Sequence, residues 1–289
     1  MSDFETVLYE AADDHIVRIV LNRPEKRNAQ NHAMTNDLNA AFTKAAADND
    51  VKVIILAAAG PHFCSGHDQL NRGDDADLKT TGMWYGYDLA GIEGRMSRNK
   101  EAYFDMYWRW RNIPKPVIAA AQGKTIGGGL PILWISDIIV ASEDASFADP
   151  TTHAGVNGVE YFGHPWELGA RQAKEMLFTS DFVTAQEALQ LGMVNRVVPR
   201  ADLDSTVLEM ARKAARKPSL GLKLAKEAVN GMLDIEGQFS ALRAAFSLCS
   251  LGHAQMLIDD PTEWVAGKGH STDGKRSYGP GFLNSDAPR

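Results

Sequence analysis

The chain has 289 residues, of which 44% are hydrophobic and 23% are charged, and its formal net charge is −7. This is the composition of an ordinary water-soluble globular protein, and its acidic balance argues against nucleic acid or an anionic membrane surface as the main partner. Two cysteines cannot form a disulfide framework, no apolar run approaches the roughly 20 residues of a membrane-spanning helix, and the N-terminus lacks a signal-peptide pattern. A reducing cytoplasm is therefore the expected location.

Strands and helices alternate along the first half of the chain, which predicts an α/β domain. Residues 71–98 are the least regular part, and they predict either a loop over a pocket or a surface insertion. In chain order, the predicted elements are strands over 6–10 and 16–21, a helix over 31–48, a buried strand over 51–59, a helix over 100–111 and a strand over 116–121.

The second half of the chain becomes almost entirely helical. Gly192 has the position of a helix C-cap ahead of a short strand over 194–198. We predict a core over residues 1–200, a helical C-terminal subdomain over 201–270 and a polar tail over 271–289. The predicted helices cover 166–179, 185–191, 203–216, 220–231 and 234–254.

The most distinctive local pattern joins an apolar strand to three glycines. Gly127, Gly128 and Gly129 follow the predicted strand 116–121 and precede an apolar segment that begins a helix. Glycines at such a junction let a ligand approach the backbone closely, and the N–H groups of the helix start can then bind an anion or a developing oxyanion. Alternatively, the glycines only allow the helix and the strand to pack closely.

A second junction follows the predicted strand 51–59. Its segment Phe63–Asp68 (FCSGHD) resembles the FxAGxD element of the crotonase, or enoyl-CoA hydratase/isomerase, superfamily. Segments 21–29, 136–147 and 185–198 resemble the same family in the right order. Several ordered motifs are far more specific than one glycine-rich loop, so the chain is identified as a member of that superfamily.

The resemblance implies a crotonase-type spiral of repeated ββα units, with the helical C-terminal subdomain mediating assembly into a homotrimer or a dimer of trimers. It implies an enoyl-CoA hydratase/isomerase-like enzyme that binds an acyl-CoA thioester, with coenzyme A as part of the substrate and no tightly bound cofactor. By motif position, the thioester oxygen faces the backbone N–H groups of His67 and Gly128. Two such preorganised donors stabilise an oxyanion by several kcal/mol.

Both glutamates of the family's hydratases are missing at their motif positions. Pro131 and Thr151 stand there, and neither side chain can act as a general acid or base. Proline is tolerated in the first turn of a helix, so Pro131 fits the backbone while removing the function. The sequence therefore does not support the usual two-carboxylate addition of water to an enoyl double bond.

Three ionisable residues near that segment are the candidate replacements: Asp149, His153 and Glu160. Family members that act as dehalogenases or C–C hydrolases place an Asp, or a His–Asp pair, in this segment. A histidine oriented by a carboxylate is a competent base near neutral pH. Each candidate also has a structural reading: a turn cap for Asp149, a hydrogen-bonded histidine for His153 and a solvated carboxylate for Glu160.

Other reactive side chains near the motifs favour structural roles. Glu167 lies in the first turn of a predicted helix, beside His164, where the helix dipole accounts for a carboxylate. Cys64 lies beside an oxyanion donor, but no histidine spacing supports a nucleophile, so packing is the favoured role. The eight histidines are scattered and no CxxC or HExxH occurs, so no metal site is predicted.

A cationic loop over residues 23–29 resembles the loop that contacts coenzyme A in the family. Its cations suit phosphates in an otherwise acidic protein, although a solvated basic turn is the alternative. Backbone groups of residues 68–70 are expected to meet the adenine. The residues expected to contact coenzyme A are Arg23, Lys26, Arg27, Ala29, Ser65, Asp68, Gln69 and Leu70.

Three functional hypotheses remain open from the sequence. The first is a hydratase/isomerase-like enzyme with non-standard acid and base groups. The second is hydrolysis of a carbon–carbon bond in a cyclic β-diketone or CoA thioester, using His153 or Glu160. The third is an acyl-CoA binder that kept the oxyanion pocket and lost the chemistry. A carboxylate or imidazole within about 3–4 Å of the reacting carbons would favour an enzyme.

Overall fold

Two β-sheets organise the chain in a computed structural model, which describes residues 4–69, 73, 77–79, 82, 84–87 and 89–259. The nine strands of these residues are β1 (Val7–Asp13), β2 (Ile16–Leu21), β3 (Val53–Ala58), β4 (Val117–Ala121), β5 (Lys124–Ile126), β6 (Ile138–Ser142), β7 (Ser146–Ala148), β8 (Val183–Thr184) and β9 (Arg196–Val198).

The sheets wind together as a spiral. The larger sheet has the order β1-β2-β3-β4-β6-β9, with β1 and β2 antiparallel and the later pairs parallel. The smaller sheet has the order β5-β7-β8. Isolated β-bridges between Cys64 and Thr125, and between Gln30 and His67, add two further segments beside the smaller sheet. A strand of the large sheet is thus repeatedly followed by a segment of the small stack, which confirms the predicted crotonase-type spiral.

Helices connect and cover the strands. Asn31 caps the first helix by accepting a hydrogen bond from Met34 N, and Thr184 with Glu187 forms a capping box at another. The predicted C-cap at Gly192 is confirmed, with a φ of 83°. The helices are α1 (His32–Ala47), α2 (Gly91–Asn99), α3 (Met106–Arg111), α4 (Gly129–Trp134), α5 (His164–Leu168), α6 (Ala170–Thr179), α7 (Ala185–Leu191), α8 (Leu203–Ala215), α9 (Ser219–Ile235) and α10 (Gln238–Asp259).

The hydrophobic core lies on both faces of the large sheet. Alternate residues of β3 point to opposite faces, so Ile54 and Leu56 pack toward α1 while Val53 and Ile55 pack toward α8. The C-terminal helices differ in burial. The helix α8 packs into the core, whereas α9 buries none of its residues fully. The division of the chain at residue 201 stays a prediction, and residues 271–289 lie outside the described residues.

The predicted element boundaries need three corrections. Residues 91–99, expected to be irregular, form α2, which continues through a π-helical stretch (Lys100–Asp105) into α3. Gly169 (φ 75°) divides the predicted helix 166–179, and Gly237 (φ 101°) precedes α10 and shifts its start from residue 234 to 238. Among the described residues, no helix combines the length and apolar character that a membrane span requires.

Candidate active site

The loop that follows β3 forms the first side of the site. This loop lies between β5 on one side and residue 30 on the other. Cys64 N donates to Lys124 O (3.3 Å) on one side, and Asp68 N donates to Gln30 O (2.8 Å) on the other. Successive N–H groups of an extended chain alternate in direction, so the N–H of His67 points away from Gln30 and toward β5. The glycine triplet follows directly after β5.

Gly66 lets this loop approach the triplet. Its φ of 93° favours glycine, and a Cβ there would lie 2.8 Å from Ile126 O and 3.3 Å from Gly128 N. No side chain fits between the two backbones at this distance. The peptide that carries the His67 N–H is therefore held against the peptide that carries the Gly128 N–H.

The three glycines of the second side serve different purposes. Gly127 has a φ of 49°, which turns the chain from β5 into α4. A Cβ on Gly128 would lie 2.4 Å from Cδ2 of the His67 ring, and one on Gly129 would lie 2.6 Å from Cys64 O. The triplet thus serves close packing as well as ligand approach, and the N–H of Gly128 stands at the start of α4.

Aromatic rings pack against the His67 side chain. The His67 ring stacks on Tyr103, with centroids 4.2 Å apart, and the Tyr103 ring lies 6.5 Å from that of Tyr107. Tyr107 donates its hydroxyl to Gln30 Oε1 (2.9 Å). Tyr103 belongs to the π-helical stretch, a rare geometry that is frequent at functional sites.

The two positions of the missing glutamates are occupied as the sequence indicates. Pro131 is buried in the first turn of α4, and Thr151 is half-buried with its N–H donated to Asp149 Oδ1 (3.0 Å). Neither position offers a proton donor or acceptor with a pKa near neutrality. Any acid or base of the site must therefore come from other elements.

Glu160 is a buried carboxylate that contacts the C-terminal end of α2. Its side chain is 7% exposed, and Asn99 donates Nδ2 to its Oε1 (3.0 Å). Burial raises the pKa of Glu160, although the guanidinium charges of Arg95 and Arg98 act in the opposite direction. A carboxylate held in this way is suited to exchange protons nearer neutral pH than an ordinary glutamate.

Asp149 pairs with His164 rather than with a surface group. His164 Nε2 donates to Asp149 Oδ2 (2.8 Å), and both side chains are fully buried. The same carboxylate accepts the N–H groups of Thr151 (3.0 Å) and Val159 (3.1 Å). Burial raises the pKa of Asp149, but the hydrogen bond and charge of His164 and the Thr151 N–H outweigh it, so the pKa is lowered. His164, expected to be structural, is thus oriented by a carboxylate.

Two other candidates have different surroundings. His153 lies in an exposed position of a short 3-10 turn (Thr151–Ala154), so the structure does not bring it to Glu160 as a buried pair. Cys64 is fully buried and donates its thiol to Asn28 O (3.0 Å), and burial raises its pKa to about 12. A thiol that stays protonated is not a nucleophile, which agrees with the predicted packing role.

Arg23 faces inward, and its expected contact with phosphate stays a prediction. Its guanidinium pairs with Asp68 (Nη2–Oδ2, 3.0 Å), and the two side chains are 12% and 7% exposed. Arg23 also donates Nη1 to Ala29 O within the cationic loop, and its pair with Asp68 joins that loop to the loop that follows β3. The expected adenine contact at the backbone of Asp68 stays a prediction.

The rest of the cationic loop is accessible. Lys26 and Arg27 are exposed, and Gln69 is exposed on the neighbouring loop. Ala29 and Ser65 are half-buried between them, and Ser65 N donates to Arg27 O (3.0 Å). These positions can be reached by a phosphate or a nucleotide. The remaining predicted contact, Leu70, lies outside the described residues.

Comparison with known proteins identifies the family to which this chain belongs. The sequence profile of the enoyl-CoA hydratase/isomerase family matches residues 11–249. The chain is 42% identical over 286 residues to EchA13 of Mycobacterium tuberculosis, whose name assigns it to the enoyl-CoA hydratases, and the match covers 96% of this chain and 86% of that protein. The chain therefore belongs to the enoyl-CoA hydratase/isomerase family, and the predicted superfamily and hydratase/isomerase-like enzyme class are confirmed.

Two further relatives show how far the similarity extends. The chain is 33% identical over 212 residues to the mitochondrial Delta(3,5)-Delta(2,4)-dienoyl-CoA isomerase of Rattus norvegicus, covering 70% of this chain and 61% of that protein. A crystal structure from Mycobacterium smegmatis, named as an enoyl-CoA hydratase, matches with a TM-score of 0.79 and 45% identity, covering 88% of this chain and 96% of that one. Both hydratase and isomerase names thus occur among the relatives.

Sequence reasoning missed three residues that the fold brings to the site. Asn99 and Tyr103 lie in a region taken as irregular or as core, and His164 was assigned to a helix start. A signal for the first two existed, because Asn99 and Tyr103 are four residues apart and share a helical face. Nothing local in the sequence indicates that His164 meets a residue 15 positions earlier.

Proposed function

We propose that this protein moves a double bond within an acyl-CoA thioester through an enolate. The N–H groups of His67 and Gly128 hold the thioester oxygen, and Glu160 removes a proton from one acyl carbon and returns it to another. The proton lost by the first carbon is carried by the carboxylate, and the electron pair moves to the thioester oxygen, so no water or redox partner is consumed. Oxyanion donors of this kind typically contribute about 10²–10³ in rate each.

One observation carries this proposal. Asn99 contacts Glu160 and Tyr103 contacts His67, and these two residues are separated by a single helical turn. The same continuous helical segment therefore contacts both Glu160 and the His67 ring. This shared neighbour supports the proposal that one acyl chain reaches the carboxylate while its thioester oxygen meets the N–H groups.

The missing glutamates favour isomerisation over hydration. Adding water to a double bond requires one group to activate the water and another to protonate carbon, whereas one carboxylate can shuttle a proton between two carbons. With Pro131 and Thr151 at the two motif positions, only the second chemistry has its group in place. We expect turnover of crotonyl-CoA to lie ~10²–10⁴-fold below that of a two-glutamate hydratase, the usual cost of losing a positioned acid or base.

Proton exchange in heavy water tests the proposal without knowledge of the natural acyl group. A panel of enoyl-CoA thioesters is incubated with the enzyme in D2O, and products are followed by mass spectrometry and NMR. Isomerisation predicts a shifted double bond with deuterium on carbon, hydration predicts a 3-hydroxyacyl-CoA, and hydrolysis predicts a free acid. Hydration at the ordinary rate, or exchange that persists in Glu160→Gln, would refute the assignment.

A second candidate function is hydrolysis, which is favoured by the buried Asp149–His164 pair. With Nε2 donated to the carboxylate, Nδ1 of His164 is the free ring nitrogen, and it has no hydrogen-bond partner among the described residues. An imidazole oriented in this way can activate water. The alternative hydrolase thus has His164 as its base rather than His153. Release of a carboxylic acid that is lost in His164→Asn, but kept in Glu160→Gln, would establish it.

We also propose that the exposed loop cations bind the phosphates of coenzyme A and that α9 forms a subunit interface. Lys26 and Arg27 are exposed on the cationic loop, beside the loop that follows β3. The helix α9 exposes a row of large apolar side chains, which supports a homotrimer or a dimer of trimers: Leu220 (65%), Leu224 (59%), Met232 (59%) and Ile235 (83%). Light scattering of the parent and of Leu224→Asp tests this, and a monomeric parent would refute it.

A further inference from the structure

Glu160 shares its buried surroundings with two residues of α10 that the proposed reaction does not use. Cys249 and His253 are four residues apart on one face of that helix, and Cys249 Sγ lies 3.8 Å from His253 Nδ1. The sulfur, the ring nitrogen and a Glu160 carboxylate oxygen all lie within 4.8 Å of one another. The three residues are 1%, 7% and 7% exposed, in the order Cys249, His253 and Glu160.

We propose that Glu160, Cys249 and His253 form a binding site for one thiophilic divalent cation, such as Zn2+ or Cd2+. No spacing in the sequence pointed to a metal site, because the third ligand comes from a segment 89 residues before the helical pair. The proposal therefore departs from the sequence prediction, which gave no metal site.

The ligand distances suit a small tetrahedral ion. Zinc binds sulfur at about 2.3 Å and nitrogen or oxygen at about 2.0–2.2 Å, so neighbouring ligands in a tetrahedron lie roughly 3.3–3.6 Å apart. The sulfur and nitrogen at 3.8 Å already approach that separation. The Glu160 oxygen lies within 4.8 Å of both, so the site requires this carboxylate to move closer when the ion binds.

Asn99 prepares two of the ligands. Its Nδ2 donates to Glu160 Oε1 (3.0 Å) and lies 3.5 Å from His253 Nδ1. An amide N–H can only donate, so this contact indicates a lone pair on Nδ1, and a bound metal ion would take that lone pair in place of the Asn99 N–H. Asn99 is itself oriented by Arg98, which donates Nε and Nη2 to its Oδ1 (3.2 and 3.1 Å). Through its bond to Glu160, Asn99 is an outer partner of the kind that holds metal ligands in place.

The local charges select the kind of cation. Arg95 and Arg98 act electrostatically on Glu160, so they oppose an ion that binds through charge alone. When a divalent ion binds, the Cys249 thiol loses its proton to solvent and the thiolate bonds to the metal, which leaves the metal with one thiolate, one carboxylate and one neutral imidazole. Soft thiolate ligation favours Zn2+ and Cd2+ over Mg2+ and Ca2+.

Occupation of this site would inhibit the enzyme, because the metal takes the carboxylate that moves the proton. This consequence rests on the proposed function, whereas the binding itself does not. The site would thus make turnover sensitive to low concentrations of thiophilic metal ions and insensitive to Mg2+.

Cadmium titration of the full chain tests the binding directly. We expect one Cd2+ per chain, seen by the sulfur-to-cadmium charge-transfer absorption and by a 113Cd NMR signal typical of one sulfur ligand. Cys249→Ser should abolish the absorption, and His253→Gln and Glu160→Gln should each weaken binding by at least the ~10–100-fold that loss of an outer partner costs. The matched control is Cys64→Ser, which removes the other cysteine and should leave the signal intact.

Several results would overturn the site: no charge-transfer band at saturating Cd2+, a band that survives Cys249→Ser, or affinity unchanged in both His253→Gln and Glu160→Gln. The two proposals fail separately. If Cd2+ binds as described and turnover is unaffected, the site stands and the catalytic role of Glu160 is wrong. If Glu160→Gln is inactive but the parent binds no Cd2+, the metal site alone is wrong.

Discussion

The two sides of the site are built in different ways. In the proposed site, the oxyanion side would consist of two peptide N–H groups, at His67 and Gly128, on short loops that directly follow strands β3 and β5. The acid–base side would consist of side chains from distant parts of the chain, such as Glu160 from a loop and Asn99 from α2. The first side depends on backbone geometry, and the second depends on tertiary packing.

This difference explains why one side can keep its chemistry while the other changes. A backbone donor requires only glycines and a turn, so its sequence signature is short and restrictive. A side-chain base can be replaced from any element that reaches the pocket. By the predicted motif positions, Pro131 and Thr151 stand where the hydratases carry carboxylates, while the glycine triplet and Gly66 are present.

The largest effect is expected from crowding the oxyanion side. Gly128→Val should lower kcat by about 10²–10³ or more, because its Cβ would meet the His67 ring at 2.4 Å and displace a donor. Circular dichroism should show a retained fold. The matched control is Gly221→Val, where a Cβ meets nothing within 4 Å, and its turnover should equal that of the parent. Normal turnover of Gly128→Val would place the thioester elsewhere.

A somewhat smaller effect is expected on the acid–base side. Glu160→Gln keeps the shape and the acceptor oxygen but removes the base, so kcat should fall by about 10²-fold while KM changes little. The control is Glu93→Gln, which removes an exposed carboxylate from α2 and should leave kcat unaltered. Equal loss in both variants would indicate a general charge effect rather than a transition-state role.

The same contrast separates what the sequence could predict from what it could not. The strands, the glycine triplet and the Cys64 packing role follow from local pattern, because each depends on neighbours in sequence. The Asp149–His164 pair and the Asn99–Glu160 contact do not, because they join residues 15 and 61 positions apart. The Arg23–Asp68 pair was missed for a related reason: a cation in a basic loop was assigned to phosphate, whereas Asp68 comes from another loop.

A third prediction separates the inward and outward cations of the coenzyme A loop. Arg23→Gln breaks a largely buried ion pair, so the free energy of unfolding should fall by about 2 kcal/mol. The double variant Lys26→Gln/Arg27→Gln removes exposed charges, so stability should hold while KM for the thioester rises about threefold to tenfold at low salt. Urea unfolding and KM measured at two salt concentrations check both. A rise in KM for Arg23→Gln with unchanged stability would instead indicate that Arg23 binds phosphate.

The smallest expected effect concerns a second glutamate with a raised pKa, the half-buried Glu167. Burial raises its pKa to about 8, with Arg111 acting in the opposite direction, and Arg111 already pairs with Asp234 (3.3 Å). An unfolded glutamate loses its proton near pH ~4.3, whereas the folded one keeps it to about pH 8, so stability declines as the pH rises between these values.

Glu167→Gln should remove that decline. Because the side chain keeps some contact with solvent, we expect a gain in unfolding free energy of about 1–2 kcal/mol at pH 8, less than the full shift would give, and none at pH 4. Urea denaturation at the two pH values measures it. Turnover should match the parent, which would show that a raised carboxyl pKa marks burial and does not by itself mark a base. Glu160 differs from Glu167 in its hydrogen bond from Asn99, which lies one helical turn from Tyr103. A large loss of kcat in Glu167→Gln would make it a rival for that role.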